Sequence, residues 1–176
     1  MEIRKGITFI ISQQRGEAAL IGLIKFIILF TILGFGVEFY RLQTYHSTLE
    51  TKLEIILQDA LELSVRDDYR REKISKITAS EAEDNIYEIL KLELNLDYNL
   101  CPLAPSLLQY PLVITDLNII EGSFSYNGSR YYNTQFPSIR IRGYTHQRII
   151  LIPFISEELK LVEIPFNIHI DNRRYD

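Results

Sequence analysis

Residues 18–37 read AALIGLIKFIILFTILGFGV, a run of about 20 residues whose only charge is Lys25. At about 1.5 Å per residue, a helix of that length spans roughly 30 Å, the hydrocarbon thickness of a bilayer. No run of this kind stays in water unless something covers it. A secretory signal would be shorter and would end in small residues fit for cleavage. Here the run ends in Val37, Glu38, Phe39, Tyr40 and Arg41, so a retained transmembrane helix is expected over residues 17–40.

The flanks set an expected orientation. Arg4, Lys5 and Arg15 precede the span, whereas Arg41 and Lys52 are the nearest basic residues after it. The positive-inside rule then places a leader of residues 1–16 in the cytoplasm and the rest outside the cell. Lys25 has two readings. It can pair with a carboxylate of a neighbouring helix, Glu17 of another copy being the obvious one. More simply, it can snorkel, because Glu17 lies only about 12 Å away along the helix at the cytoplasmic headgroups.

Beyond the span, no helix breaker occurs before Asp67-Asp68, and no proline before Pro102. Leu42, Tyr45, Leu49, Leu53, Ile56, Ala60 and Leu63 recur at spacings of three and four, an apolar stripe on one face. One helix is therefore expected from about residue 18 to about residue 65, amphipathic over 41–66. Its stripe is expected to dock on the chain's own globular part rather than form a coiled-coil stalk. Residues 67–111 should hold a charged connection, a second helix and loops. Ser80 and Glu83 have the spacing of a capping box, Ile86, Ile89, Leu90 and Leu94 follow at helical spacing, and three prolines mark a loop from Asn95 to Pro111.

Over residues 112–176 the period changes to two. Val113, Thr115, Leu117 and Ile119 share one face. Ile139 and Ile141 alternate with Arg140 and Arg142, residues 149–154 form a short apolar run, and Val162, Ile164, Phe166, Ile168 and Ile170 alternate with polar residues and Pro165. Such alternation fits a sheet with one covered face and one wet face. Pro165 lacks an amide donor, which implies an edge strand or an interruption. Asn127-Gly128 is a strong hairpin signal. The fold class expected is α+β: a long N-terminal transmembrane helix continuing as an amphipathic one, packed on an antiparallel sheet of about four strands.

Composition narrows the function. With 19 basic and 23 acidic side chains the net charge is −4, which leaves no footprint for nucleic acid. Cys101 is the single cysteine, so neither an internal disulfide nor a cysteine-rich zinc site is expected. His46, His146 (in an expected turn) and His169 have no second ligand at metal spacing. No nucleophile, phosphate-loop or dinucleotide motif occurs. Asp67-Asp68 reads as a solvated acidic pair. Asn127-Gly128-Ser129 matches a glycosylation sequon, but the turn already explains it. Tyr126, Tyr131, Tyr132 and Tyr144 crowd one stretch, as a contact surface or simply as strand formers. No cofactor, metal or enzymatic activity is expected.

A short basic leader ending in Gly16, with Arg15-Gly16-Glu17 at its junction, an apolar helix closed by Glu38-Phe39-Tyr40-Arg41, and a C-terminal sheet together resemble a type IV pilin-like subunit. The nearer likeness is to TadE-like minor pilins and related small membrane proteins. It covers about the first third of the chain by residues and the remainder only by architecture. In pilins a leader peptidase cuts after the glycine and a glutamate stands five residues on; here the fifth residue is Ile21, and the acid is Glu17 itself.

The resemblance implies a structural subunit of a bacterial surface filament or of an envelope-spanning secretion or conjugation assembly. Its partners would be the membrane, further pilin-like subunits and an assembly platform. Gly16 and Glu17 form the candidate processing site. Glu17, Gly22, Lys25, Gly34, Gly36 and Glu38 are the candidate residues for helix–helix assembly. The alternatives are a monomeric membrane-tethered binding module and, less well supported, a secreted enzyme with an uncleaved anchor.

Overall fold

The computed structural model describes residues 2–150 and 160–172, with side chains from residue 19 onward. Helix α1 runs unbroken from Glu2–Leu63, 62 residues or about 93 Å at about 1.5 Å per residue. It therefore begins well before the expected residue 18, and the leader backbone is continuous with the apolar run. The two halves of α1 differ in what surrounds them. Phe26, Ile28, Phe30 and Leu33 stand in the open, the rings of Phe26 and Phe30 stacked on each other along the helix. This is one helix long and apolar enough to cross a membrane, near the N-terminus, and it is compatible with single-pass anchoring.

In the second half, Leu49, Leu53, Ile56, Leu57, Ala60 and Leu61 are buried at 2% exposure or less. Leu63, expected on this stripe, is 65% exposed. At about 100° per residue, Leu57, Leu61 and Ser64 surround the buried direction at the helix end and leave Leu63 to one side. The helix stops at Leu63 because Val65 turns out to pair with Ile77 in an isolated antiparallel bridge.

The charged connection contains a five-residue helix, α2 (Asp67–Arg71). Helix α3 (Ala79–Glu93) buries Ala82, Ile86 and Leu90, with Leu94 at its C-cap, against the stripe of α1. The expected capping box does not form. Thr78 is the N-cap, without a side-chain bond, and both Ser80 and Glu83 lie exposed within the helix. The Ala79 amide instead donates to Glu121 Oε1 at 2.9 Å, so a carboxylate just past a strand satisfies the helix start. The loop after α3 is held by Asn95, whose Nδ2 donates to the carbonyls of Leu103 and Pro105 at 3.0 and 2.9 Å.

Strands β1 (Val113–Ile120), β4 (Ser138–Arg148) and β5 (Leu161–Asp171) form an antiparallel sheet in the order β1-β4-β5. Strands β2 (Ser123–Tyr126) and β3 (Tyr131–Gln135) form a separate ribbon, so the expected sheet of about four strands is in fact three plus two. The chain leaves the sheet at Gly122, which has φ +80 and stands where a Cβ would lie 2.9 Å from Pro137. The ribbon, exposed along most of its length, has no apolar face to add to the core. Its turn forms at Asn127-Gly128 as expected, with Gly128 at φ +86 and Asn127 Oδ1 accepting from the amides of Ser129 and Arg130. Asn133 docks the ribbon on the connection after α2 through both the amide and the carbonyl of Ser75.

Alternation along β4 buries Ile139, Ile141, Gly143, Thr145 and Gln147 and turns Arg140, Arg142, Tyr144, His146 and Arg148 to the other face. His146 therefore lies in a strand rather than in a turn. The buried face, with Ile164, Phe166 and Ile168 of β5, is covered by α1 and α3, and this places the core between helices and sheet. Strand β5 is an edge and pairs with β4 without a break from Leu161 to Asp171. Pro165 is thus an edge residue, not an interruption. Its carbonyl meets His46 Nε2 of α1 at 3.0 Å, so its missing donor falls on the outer side, away from the ladder.

Candidate functional site: where the apolar helix meets the sheet

The point at which α1 passes from bare to covered is built on Glu38. This residue ends the apolar run and is 1% exposed. Arg41, one helical turn on, donates to Glu38 Oε1 through Nε at 3.0 Å and also through its terminal nitrogen. The same guanidinium donates to the carbonyl of Arg148 at the end of β4. The Ile150 amide closes the set by donating to Glu38 Oε1 at 3.3 Å. A carboxylate sharing these surroundings with apolar side chains needs such donors, since an unpaired buried charge is strongly unfavourable. The result ties the β4–β5 connection to the helix at the residue where the apolar run stops.

Beside this junction, Val37, Tyr40, Arg41, Thr44, Tyr45, Thr48, Leu107 and Gln147 line an open groove of about 420 Å³. Among the described residues, two buried polar atoms there lack hydrogen-bond partners, the Tyr45 hydroxyl and Gln147 Oε1. Thr145 lies next to the phenol, but its own hydroxyl donates to the Tyr110 carbonyl at 3.2 Å. Burial pushes the Tyr45 phenol above its ordinary value near 10, with Thr145 acting in the opposite direction. A second depression of about 610 Å³, at the end of α3, is lined by Glu88, Lys91, Asp97 and Tyr98 among others; Lys91 Nζ sits 4.8 Å from the centre of the Tyr98 ring. Among the described residues no three of His, Cys, Asp and Glu converge as metal ligands. His169 pairs with Asp171 at 3.0 Å, and His46 lies 3.5 Å from Glu50.

The residues singled out for helix–helix assembly fall into two groups. Gly22, Lys25 and Gly36 are on the exposed part of α1, and a Cβ added at Gly22 or Gly36 would meet nothing within 4 Å. Gly34 is half-buried. The backbone at Gly16 and Glu17 is helical, and their side chains lie outside those described. Glu38 differs from the rest, being bonded to Arg41 and Ile150 within its own chain. Sequence reasoning missed Ile150 as its partner and Arg148 as the second partner of Arg41. The readable signal was the i,i+3 spacing of Glu38 and Arg41, opposite charges one turn apart at the end of an apolar run. No protein-family model matches the chain, and searches of curated proteins and of solved structures return no match.

Proposed function

We propose that this chain is a pilin-like structural subunit of a bacterial surface filament or of an envelope-spanning secretion or conjugation assembly. In this reading α1 anchors it by a single span, with the N-terminus cytoplasmic and the sheet domain outside, and it is not an enzyme. The observation that carries the proposal is α1 itself. One unbroken helix buries its second half in its own domain and leaves the apolar stretch of residues 19–37 almost wholly exposed, available to lipid or to other helices. Among the described residues nothing lies within 4 Å of a Cβ built at Gly22 or Gly36, which leaves room there for a neighbouring helix to approach closely.

The test is cross-linking in the native membrane, in a Cys101→Ser background with cysteines placed at Gly22 or Gly36. A subunit of an assembly gives ladders of two, three and more copies. A monomeric tether gives a single band, and that result refutes the proposal. The intact mass of the extracted protein adds an independent reading: a chain beginning at Glu17 reports leader cleavage after Gly16, as the resemblance implies.

A further inference from the structure

The junction at Glu38 fixes the height of one apolar part of the sheet domain relative to the span. Phe39 and Tyr40 are each 70% exposed, and Ile150 is 63% exposed. Ile150 is held there by its amide on Glu38 and by the neighbouring bond from Arg41 to the Arg148 carbonyl. The Ile149 amide donates to the Lys160 carbonyl at 2.7 Å, so the chain leaves and rejoins the sheet at this one place. In sequence, Ile150 opens onto Leu151, Ile152, Pro153, Phe154 and Ile155, residues outside those described.

A bilayer adds about 5–8 Å of headgroup layer to each side of its hydrocarbon core. At about 1.5 Å per residue that layer covers the next four or five residues of a helix, here from Glu38 to about Leu42. Ile150, one hydrogen bond from Glu38, falls at the same depth. The exposed surface of the span continues without a gap through Val37, Phe39 and Tyr40, and tyrosine at this level is what a membrane interface favours.

We propose that the start of the β4–β5 connection is a second membrane contact, with Ile150 seated beside Phe39 and Tyr40 in the interfacial layer of the bilayer. This rests on the membrane-anchored reading of α1 and adds to it that the sheet domain lies against the lipid surface instead of standing clear of it. The occupant is the bilayer, since the rim is continuous with the exposed apolar surface that the anchored reading assigns to lipid. Glu38 and Arg41 fit this depth as a pair, because each neutralises the other where water is scarce.

The chain contains no tryptophan, so a single introduced one reports its own surroundings. The full chain is reconstituted in vesicles containing lipids brominated at shallow or deep acyl positions, as three variants: Ile28→Trp in the span, Ile150→Trp at the rim and Leu92→Trp on α3, where the side chain is 79% exposed. Expected are quenching of Ile28→Trp chiefly by the deep bromines, quenching of Ile150→Trp by the shallow ones, and none for Leu92→Trp. Quenching at position 28 without quenching at 150 overturns the second contact and leaves the anchor standing. Absence of quenching at both positions overturns the anchor and the contact together. A spin label on Ile150→Cys in the Cys101→Ser background, a smaller change, repeats the test. Greater access to oxygen than to a water-soluble nickel chelate supports the contact, and the reverse refutes it.

Discussion

Replacing Glu38 tests the junction directly. Glu38→Ala removes an acceptor for two donors of Arg41 and for the Ile150 amide, at a side chain 2% exposed. Breaking a fully buried pair costs about 3–5 kcal/mol. Arg41, however, is 29% exposed and keeps its bond to the Arg148 carbonyl, so its charge is partly resolvated and the loss falls to about 2 kcal/mol. For a chain of this length that lowers the melting temperature by about 4–8 °C. Glu38→Gln keeps a neutral acceptor and should lose about half as much.

The local effect is sharper than the global one. If the Ile150 amide exchanges by opening of the junction, about 2 kcal/mol corresponds to about 30-fold faster exchange. The amide of Leu53, deep in the covered half of α1, should not change. Thermal unfolding by circular dichroism and hydrogen exchange on the full chain in nanodiscs would measure both. A Glu38→Ala protein that melts within about 1 °C of the parent, with Ile150 exchange unchanged, would refute the assignment of Glu38 as the tie.

Three further outcomes are expected. Gly143→Ala would place a Cβ 2.0 Å from the Val113 carbonyl oxygen and 2.7 Å from the Phe166 ring, opposite the irregular pairing of β1 at Ile114 and Asp116. Backbone cannot yield there without separating β1 from β4, so a loss of about 3 kcal/mol or more in chemical denaturation is expected. Tyr45→Phe removes a buried hydroxyl that has no well-formed hydrogen bond among the described residues and should be neutral or stabilising by up to about 1 kcal/mol. Because the folded phenol titrates above its unfolded value near 10, its contribution is intact below about pH 10 and is lost as pH rises toward the folded value. The advantage of Tyr45→Phe should therefore widen between melts at about pH 8 and about pH 11. Lys25→Leu should leave membrane insertion intact but weaken cross-linked ladders; ladders of equal strength would count against a polar role for Lys25.

What the sequence makes legible is what neighbouring residues decide among themselves. The apolar run, the covered half of α1, the helix through Ile86 and Leu90, the turn at Asn127-Gly128 and the alternation of β4 and β5 all follow from periodicity or turn chemistry. The misreadings share a cause, which is a distant partner overriding a local preference. Glu121 caps α3 in place of Ser80, Val65 leaves the helix to meet Ile77, and Gly122 diverts the chain so that β2 and β3 pair apart from the sheet. Glu38, too, has a distant partner. Its acidic side chain could be read as waiting for another helix, yet the amide it receives comes from Ile150, 112 residues along the chain.

That long-range bond changes how the protein can move in the anchored reading. A membrane-tethered domain commonly turns on a flexible link just outside the lipid, and here such a link has no place to be. The helix continues through the exit without a break, and the sheet grips it at once: Glu38 to Ile150 at the exit, His46 to Pro165 about 12 Å higher, then the core from Leu49 upward. Two ties at different heights fix both the position and the rotation of the domain about the helix. Tilt or rotation of α1 in the bilayer is therefore passed to the sheet as a rigid-body movement. For a subunit that must present one surface to its neighbours, contacts made within the lipid and contacts made by the sheet then have to be satisfied together. A glycine pair inserted after Arg41 should uncouple them, leaving anchoring intact while abolishing ordered ladders. Ladders that survive the insertion would show that the helix alone directs assembly.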